Sequence, residues 1–205
     1  MQRLEFLNKT YVESTRRTEL IWIAILIMTF VVTGLVCPLV ARHTGADVNN
    51  QFIIGPIVNA ALVIMAVNVR GIKKIIPLVM LPSVFAISLG LILSQSQFML
   101  MIMPAIWLGN LAMVLSFKFF FVHIKSSNPK LHIVNYLVAA IVGVGLKVLI
   151  IFAMYSMLVA GGHIPAGPAS MLFSIMGVNQ LITASAGSMI AFGVVCTQVV
   201  FKKHR

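Results

Sequence analysis

Lys147 stands in the middle of a long apolar segment, and no acidic residue lies inside any such segment to neutralise it. The segment, Ile133 to Ala160, is built mainly of Val, Ile, Leu, Ala, Gly and Phe. The four acidic residues, Glu5, Glu13, Glu19 and Asp47, all fall outside the hydrophobic stretches. A cation in hydrocarbon costs about 2.5–3.5 kcal/mol on insertion scales. A lysine kept there at that cost is either a binding group for an anionic or carbonyl-rich ligand, or a structural group whose ammonium bonds helix carbonyls. Four more polar residues stand against apolar neighbours: Asn59, Asn110, Asn179 and Gln180. At about 1.5 Å per helical residue, Asn59 lies about 10 Å below the outer end of its span. Asn110, Lys147 and Gln180 lie near the middle of theirs. Polar groups from four helices at matched depth are the expected make-up of a pocket open to the outside.

Each of these residues also has a structural reading. A single membrane asparagine often serves as interhelical glue contributing about 0.6 kcal/mol. Asn179 and Gln180 point about 100° apart on a helix, so one of them faces the interior. The expectation is Gln180, with Thr183 and Ala184 one turn on. Trp107 precedes Asn110 by three residues and shares nearly its helix face. It either stacks on a planar ligand or anchors at the interface. The candidate substrate-binding set is therefore Asn59, Trp107, Asn110, Lys147 and Gln180. A cationic centre among amides favours a small solute with a carboxylate, a phosphate or several carbonyls.

The elements that must position these residues follow from composition. The chain is 60% hydrophobic and 9% charged, with mean hydropathy +1.04. A soluble domain of this size cannot bury so much apolar surface, so lipid must solvate much of it. Crossing roughly 30 Å of hydrocarbon takes about 20 helical residues. Six spans are expected, an all-α bundle in a single membrane domain, at about 20–40, 52–69, 75–93, 99–122, 133–160 and 170–200.

Net charge is +11, and its distribution assigns the topology. Arg3, Lys9, Arg16 and Arg17 precede the first span. Arg70, Lys73 and Lys74 separate the second and third, Lys125 and Lys130 the fourth and fifth, and Lys202, Lys203 and Arg205 end the chain. The intervening loops hold only Arg42. This alternation is the positive-inside pattern and implies a multi-pass protein with both termini cytoplasmic. Lys118, near the inner end of the fourth span, is expected to snorkel to the interface. The basic balance thus reports topology and attraction to anionic lipid rather than a nucleic-acid partner.

Other function classes lack their residues. No CxxC, HExxH or His/Cys cluster supports a metal, and no cofactor is implied. Cys37 and Cys196 fall at opposite membrane faces and are read as apolar fillers. No P-loop is present, so any ATP hydrolysis belongs to a partner. His43, His123, His132 and His163 lie in loops, away from the Ser and Thr of the spans, so no nucleophile–base pair marks an enzyme. The first nineteen residues are mostly polar and carry no cleavage pattern. Leu4, Leu7 and Tyr11 recur at helical spacing within them, as in a short surface helix. The segment Gly161 to Ala169 suits a loop over an outer opening or a plain connector. Small residues mark packing faces: Ala139 and Gly143 with Lys147 on the fifth span, and Ala184, Gly187, Ala191 and Phe192 on the sixth.

Certain stretches carry a family resemblance. They are Gly55-Pro56-Ile57-Val58-Asn59-Ala60, Leu108-Gly109-Asn110, Gly145-Leu146-Lys147 and Gln180-Leu181-Ile182-Thr183-Ala184. With the size and the six spans, the chain resembles the substrate-binding S subunits of energy-coupling factor (ECF) transporters. The resemblance implies capture of a micronutrient-like solute from outside a prokaryotic plasma membrane. It also implies partnership with a membrane scaffold subunit and two cytoplasmic ATPases. One pattern departs: many S subunits carry Ala-x-x-x-Ala in the first helix for scaffold docking, whereas here Ala24 is followed by Met28. The competing reading is an autonomous small solute carrier or uniporter, although no membrane-embedded Asp or Glu is present for ion coupling.

Overall fold

The computed structural model describes residues 2–11, 15–36, 50–88, 97–124 and 129–203. Cys37, Arg42, His43, Asp47, Lys125 and Arg205, all used in the sequence reading, lie outside them. Among the described residues every regular element is helical. A 3-10 helix, Gln2–Asn8, leads into α1, Arg16–Val31, which continues as a π-helix over Val32–Val36. Then come α2, Asn50–Asn68, α3, Ile72–Ser88, and α4, Gln97–Ser116, itself extended by a π-helix over Phe117–His123. The chain closes with α5, Pro129–Ala160, α6, Ala166–Met176, and α7, Val178–Lys203.

Local chemistry explains the boundaries. Thr15 caps α1, its Oγ1 accepting the Thr18 N–H at 3.2 Å. Pro129 opens α5, where its missing N–H is harmless. At the other end of α5 Gly162 adopts φ +72°. Its N–H reaches the Val159 carbonyl, and the His163 N–H reaches that of Leu158, both at 3.0 Å. This paired closure needs a left-handed residue and ends the helix abruptly. The loop expected over 161–169 is consequently shorter, since α6 already starts at Ala166. The span expected at 170–200 is broken at Gly177, which separates α6 from α7.

Four stretches are long and apolar enough to cross a membrane, Arg16–Gly34, Leu100–His123, Lys130–Ala160 and Ala166–Gln198, consistent with a membrane protein. Phe52–Asn68 is a shorter apolar helix. Outward faces are greasy: Ile141 and Met157 are each 73% exposed, and Leu149 and Met189 are also exposed. α2 has the opposite character over part of its length. Ala60, Ala61, Leu62, Val63, Met65, Ala66 and Val67 are all buried, so the second half of α2 lies in the interior, while Phe52, Ile53 and Ile57 in its first half are exposed.

Glycines fix how these helices meet. A Cβ on Gly55 would lie 2.8 Å from Thr183 Cγ2, and one on Gly187 would lie 2.5 Å from Asn59 Cβ. Two glycines thus receive each other's polar neighbours, and the register 55 to 183 and 59 to 187 makes α2 and α7 parallel. α4 and α5 are antiparallel, because Gly109 faces Lys147 and Ile151 while Gly143 faces Met113 and Ser116. The small-residue faces read from sequence are therefore packing faces: Ala139, Gly143, Lys147, Ala184, Gly187 and Ala191 are all buried, and Phe192 is half-buried.

Basic side chains gather at one end of the bundle, where the amino-terminal segment folds back across it. The Tyr11 N–H reaches the Val67 carbonyl at 3.0 Å, and the Gly71 N–H reaches that of Leu7 at 2.9 Å. Tyr11 stacks on Phe121 at 4.4 Å, and its hydroxyl lies 3.1 Å from His132 Nδ1. Burial, the larger cause, raises the Tyr11 phenol above its usual pKa. The buried Glu19 carboxylate accepts from the Arg70 N–H and from Lys74 Nζ, each at 2.8 Å. Lys118 corrects an expectation. It does not snorkel: it is 0% exposed, and its ammonium donates to the carbonyls of Lys9 at 2.7 Å and Val69 at 2.6 Å.

Candidate functional site

Lys147 sits on the face of α5 that packs inward, because Ala139 and Gly143 below it offer no bulk to hold the neighbouring helix away. A Cβ on Gly109 would lie 3.0 Å from the Lys147 carbonyl, so the backbone of α4 touches α5 at this level. The Lys147 side chain then reaches across to α2. It is 3% exposed, and Nζ donates to Asn59 Oδ1 at 2.5 Å. Asn59 Nδ2 in turn points to Thr183 Oγ1 at 3.5 Å, and that hydroxyl lies 3.4 Å from the Gln180 carbonyl. A polar chain, Lys147 to Asn59 to Thr183, crosses α5, α2 and α7 in the apolar interior. The close approach of α2 and α7 at Gly55 and Gly187 is what holds its last link. No family model, curated protein or solved structure matches the chain at a significant level.

The five residues expected at the site have different fates. Lys147 and Asn59 are joined directly. Asn110 is buried, 4% exposed, and its Oδ1 has no hydrogen-bond partner. Trp107, half-buried and one turn before it, likewise carries an unpartnered Nε1. Gln180 joins the chain only through its backbone carbonyl. Asn179 is the more buried of that pair, which reverses the expected facing. Thr183 is the member the candidate set lacks. Its signal was its position one turn after Gln180, opposite a glycine that only the folded helices bring near.

Above this layer, away from the basic end, an apolar cluster closes the bundle. Ile102, Ala105, Ile151 and Tyr155 pack with Ile164, Ala169, Leu172 and Met176. The Tyr155 hydroxyl donates to the Ala169 carbonyl at 2.6 Å and ties α6 to α5. The Gly161 segment is thus held by buried contacts. Among the described residues no group of three or more His, Cys, Asp or Glu is placed to hold a metal. Chemically the layer offers a cationic donor with N–H groups beyond the one given to Asn59, and a free donor and acceptor on α4. That set can donate hydrogen bonds to a polar solute and accept them from it.

Proposed function

We propose that the chain is a six-span membrane protein with both termini cytoplasmic that captures a small polar solute from outside, as the substrate-binding subunit of an ECF-type importer. One observation carries the reading: Lys147 and Asn110 are both buried at mid-bundle, the lysine held by a single neutral amide and the asparagine oxygen by nothing. Leaving such groups in an apolar interior is costly unless a ligand completes them. The basic loops gathered at one end of the bundle support cytoplasmic termini. The parallel course of α2 and α7 fits two spans that both run from outside to inside. The ATPases and scaffold enter through the resemblance of the quoted stretches to S subunits.

Isolation of the chain from its native membrane in mild detergent tests this reading. The expected outcome is co-purification with a second membrane subunit and two ATPases, and release of a bound small molecule on heating. A chain that purifies alone and moves solute in sealed vesicles is instead an autonomous carrier. Met28 favours that second reading in one respect, since it is exposed on α1 where a small residue would suit scaffold docking.

A further inference from the structure

Two polar atoms on α4 are buried without a partner, and they are complementary in kind. Trp107 Nε1 is a donor without an acceptor, and Asn110 Oδ1 is an acceptor without a donor. Each forgoes a hydrogen bond that water would supply, so each is an open valence. Three positions apart on one helix, the two side chains are neighbours, with Cβ atoms about 5–6 Å apart. Asn59 differs from Asn110 in that both of its side-chain polar atoms have a partner. Its oxygen accepts from Lys147 and its nitrogen faces Thr183. Asn59 therefore positions the lysine, and selection is left to α4.

We infer that the solute presents an acceptor and a donor side by side in one plane, the C=O/N–H edge of a cyclic amide, cyclic urea or pyrimidinone. Its carbonyl takes the Trp107 N–H and its N–H reaches Asn110 Oδ1. This rests on reading the layer as a solute site. A simple carboxylate offers acceptors only and would leave Asn110 Oδ1 facing another lone pair. A neutral edge also sheds its water at lower cost than an anion when it enters apolar surroundings.

The experiment uses the full chain in detergent micelles, with binding measured at equilibrium and by thermal shift. The probes are 2-pyridone, uracil and 2-imidazolidinone, their counterparts N-methylated at every ring nitrogen so that no C=O/N–H edge is left, and benzoate and nicotinate. At least one of the first three is expected to bind, with its N-methylated counterpart weaker by about tenfold or more, as loss of one hydrogen bond implies. Asn110→Leu is expected to erase that discrimination and to raise the thermal midpoint of the empty protein, because an unpartnered polar group is gone. Equal binding of the N-methylated probes overturns the inference. So does binding of the carboxylates alone, which means that Asn110 turns its Nδ2 inward; the solute site itself then stands. If no probe of either kind binds and the chain releases no small molecule on heating, the inference and the solute-site reading fall together.

Discussion

Among the described residues two lysines are buried, and the groups that receive them differ. Lys118 donates to two backbone carbonyls. One belongs to Val69, the residue that directly follows the last turn of α2, where carbonyls lack helical donors and the helix dipole is negative. A cation there satisfies groups that would otherwise be orphaned, so Lys118 acts as a cap on α2 and a clasp on the amino-terminal segment. Lys147 meets one neutral amide in mid-helix, where backbone carbonyls are already used. The same side chain is therefore structural at a helix end and underemployed at a helix centre. On the proposed function, the difference separates a lysine that holds the fold from one kept for a ligand.

The largest effect is expected at the clasp. Lys118→Met removes two charge-assisted bonds and strands two carbonyls, costing about 3 kcal/mol or more. At about 2–4 °C per kcal/mol for a chain of this size, the thermal midpoint falls by about 6–12 °C. A midpoint within about 2 °C of the parent protein would erase the structural half of the comparison.

Gly187→Ala comes next. Its Cβ would meet Asn59 Cβ at 2.5 Å and the Pro56 carbonyl oxygen at 2.6 Å, the latter backbone that cannot swing aside. Overpacking costs about 1–3 kcal/mol, and it also displaces Asn59 from Lys147. Both the midpoint and solute binding should fall. Unchanged binding with a lower midpoint would mean that Asn59 does not position the lysine.

Lys147→Met should divide the two readouts. It gives up one hydrogen bond but also a buried cation, so the midpoint moves by less than about 4 °C. Solute binding weakens by about tenfold or more, the equivalent of about 1.4 kcal/mol. If the solute binds normally and the midpoint drops as far as for Lys118→Met, the two lysines are alike and the comparison fails.

The sequence revealed the helical class because long apolar runs admit few alternatives, and it revealed Lys147 because a cation in such a run is conspicuous. Asn59 and Asn110 were legible for the same reason. Lys118 was not. Its place near a span end reads as snorkelling, and nothing local signals the π-helix that carries it or the distant carbonyls of Lys9 and Val69. The partnership of Thr183 was hidden likewise, since it depends on Gly55 approaching from a helix more than a hundred positions away. The sequence favoured Gln180 as the inward residue, whereas Asn179 is the more buried of the two, because burial is set by the helices packed against α7 and not by spacing along it. Long-range packing and helix irregularity, rather than residue chemistry, account for these misses.

The smallest effect tests the orientation on which the comparison rests. Gly145 lies two residues before Lys147, so it points well away from the lysine on α5. It is exposed, and a Cβ added there would have nothing within 4 Å. Alanine at this position restricts the unfolded chain and suits a helix better than glycine, by about 0.5–1 kcal/mol. Gly145→Ala should therefore raise the thermal midpoint by about 1–4 °C and leave solute binding unaltered. Its neighbours Ile141 and Leu149 are exposed and apolar, so this side of α5 is read as facing lipid. A fall in midpoint, or in the yield of a co-purified membrane subunit, would show that Gly145 instead receives another chain. α5 would then carry a partner on one side and the lysine on the other, and substitutions at Lys147 would have to be judged in the assembled complex.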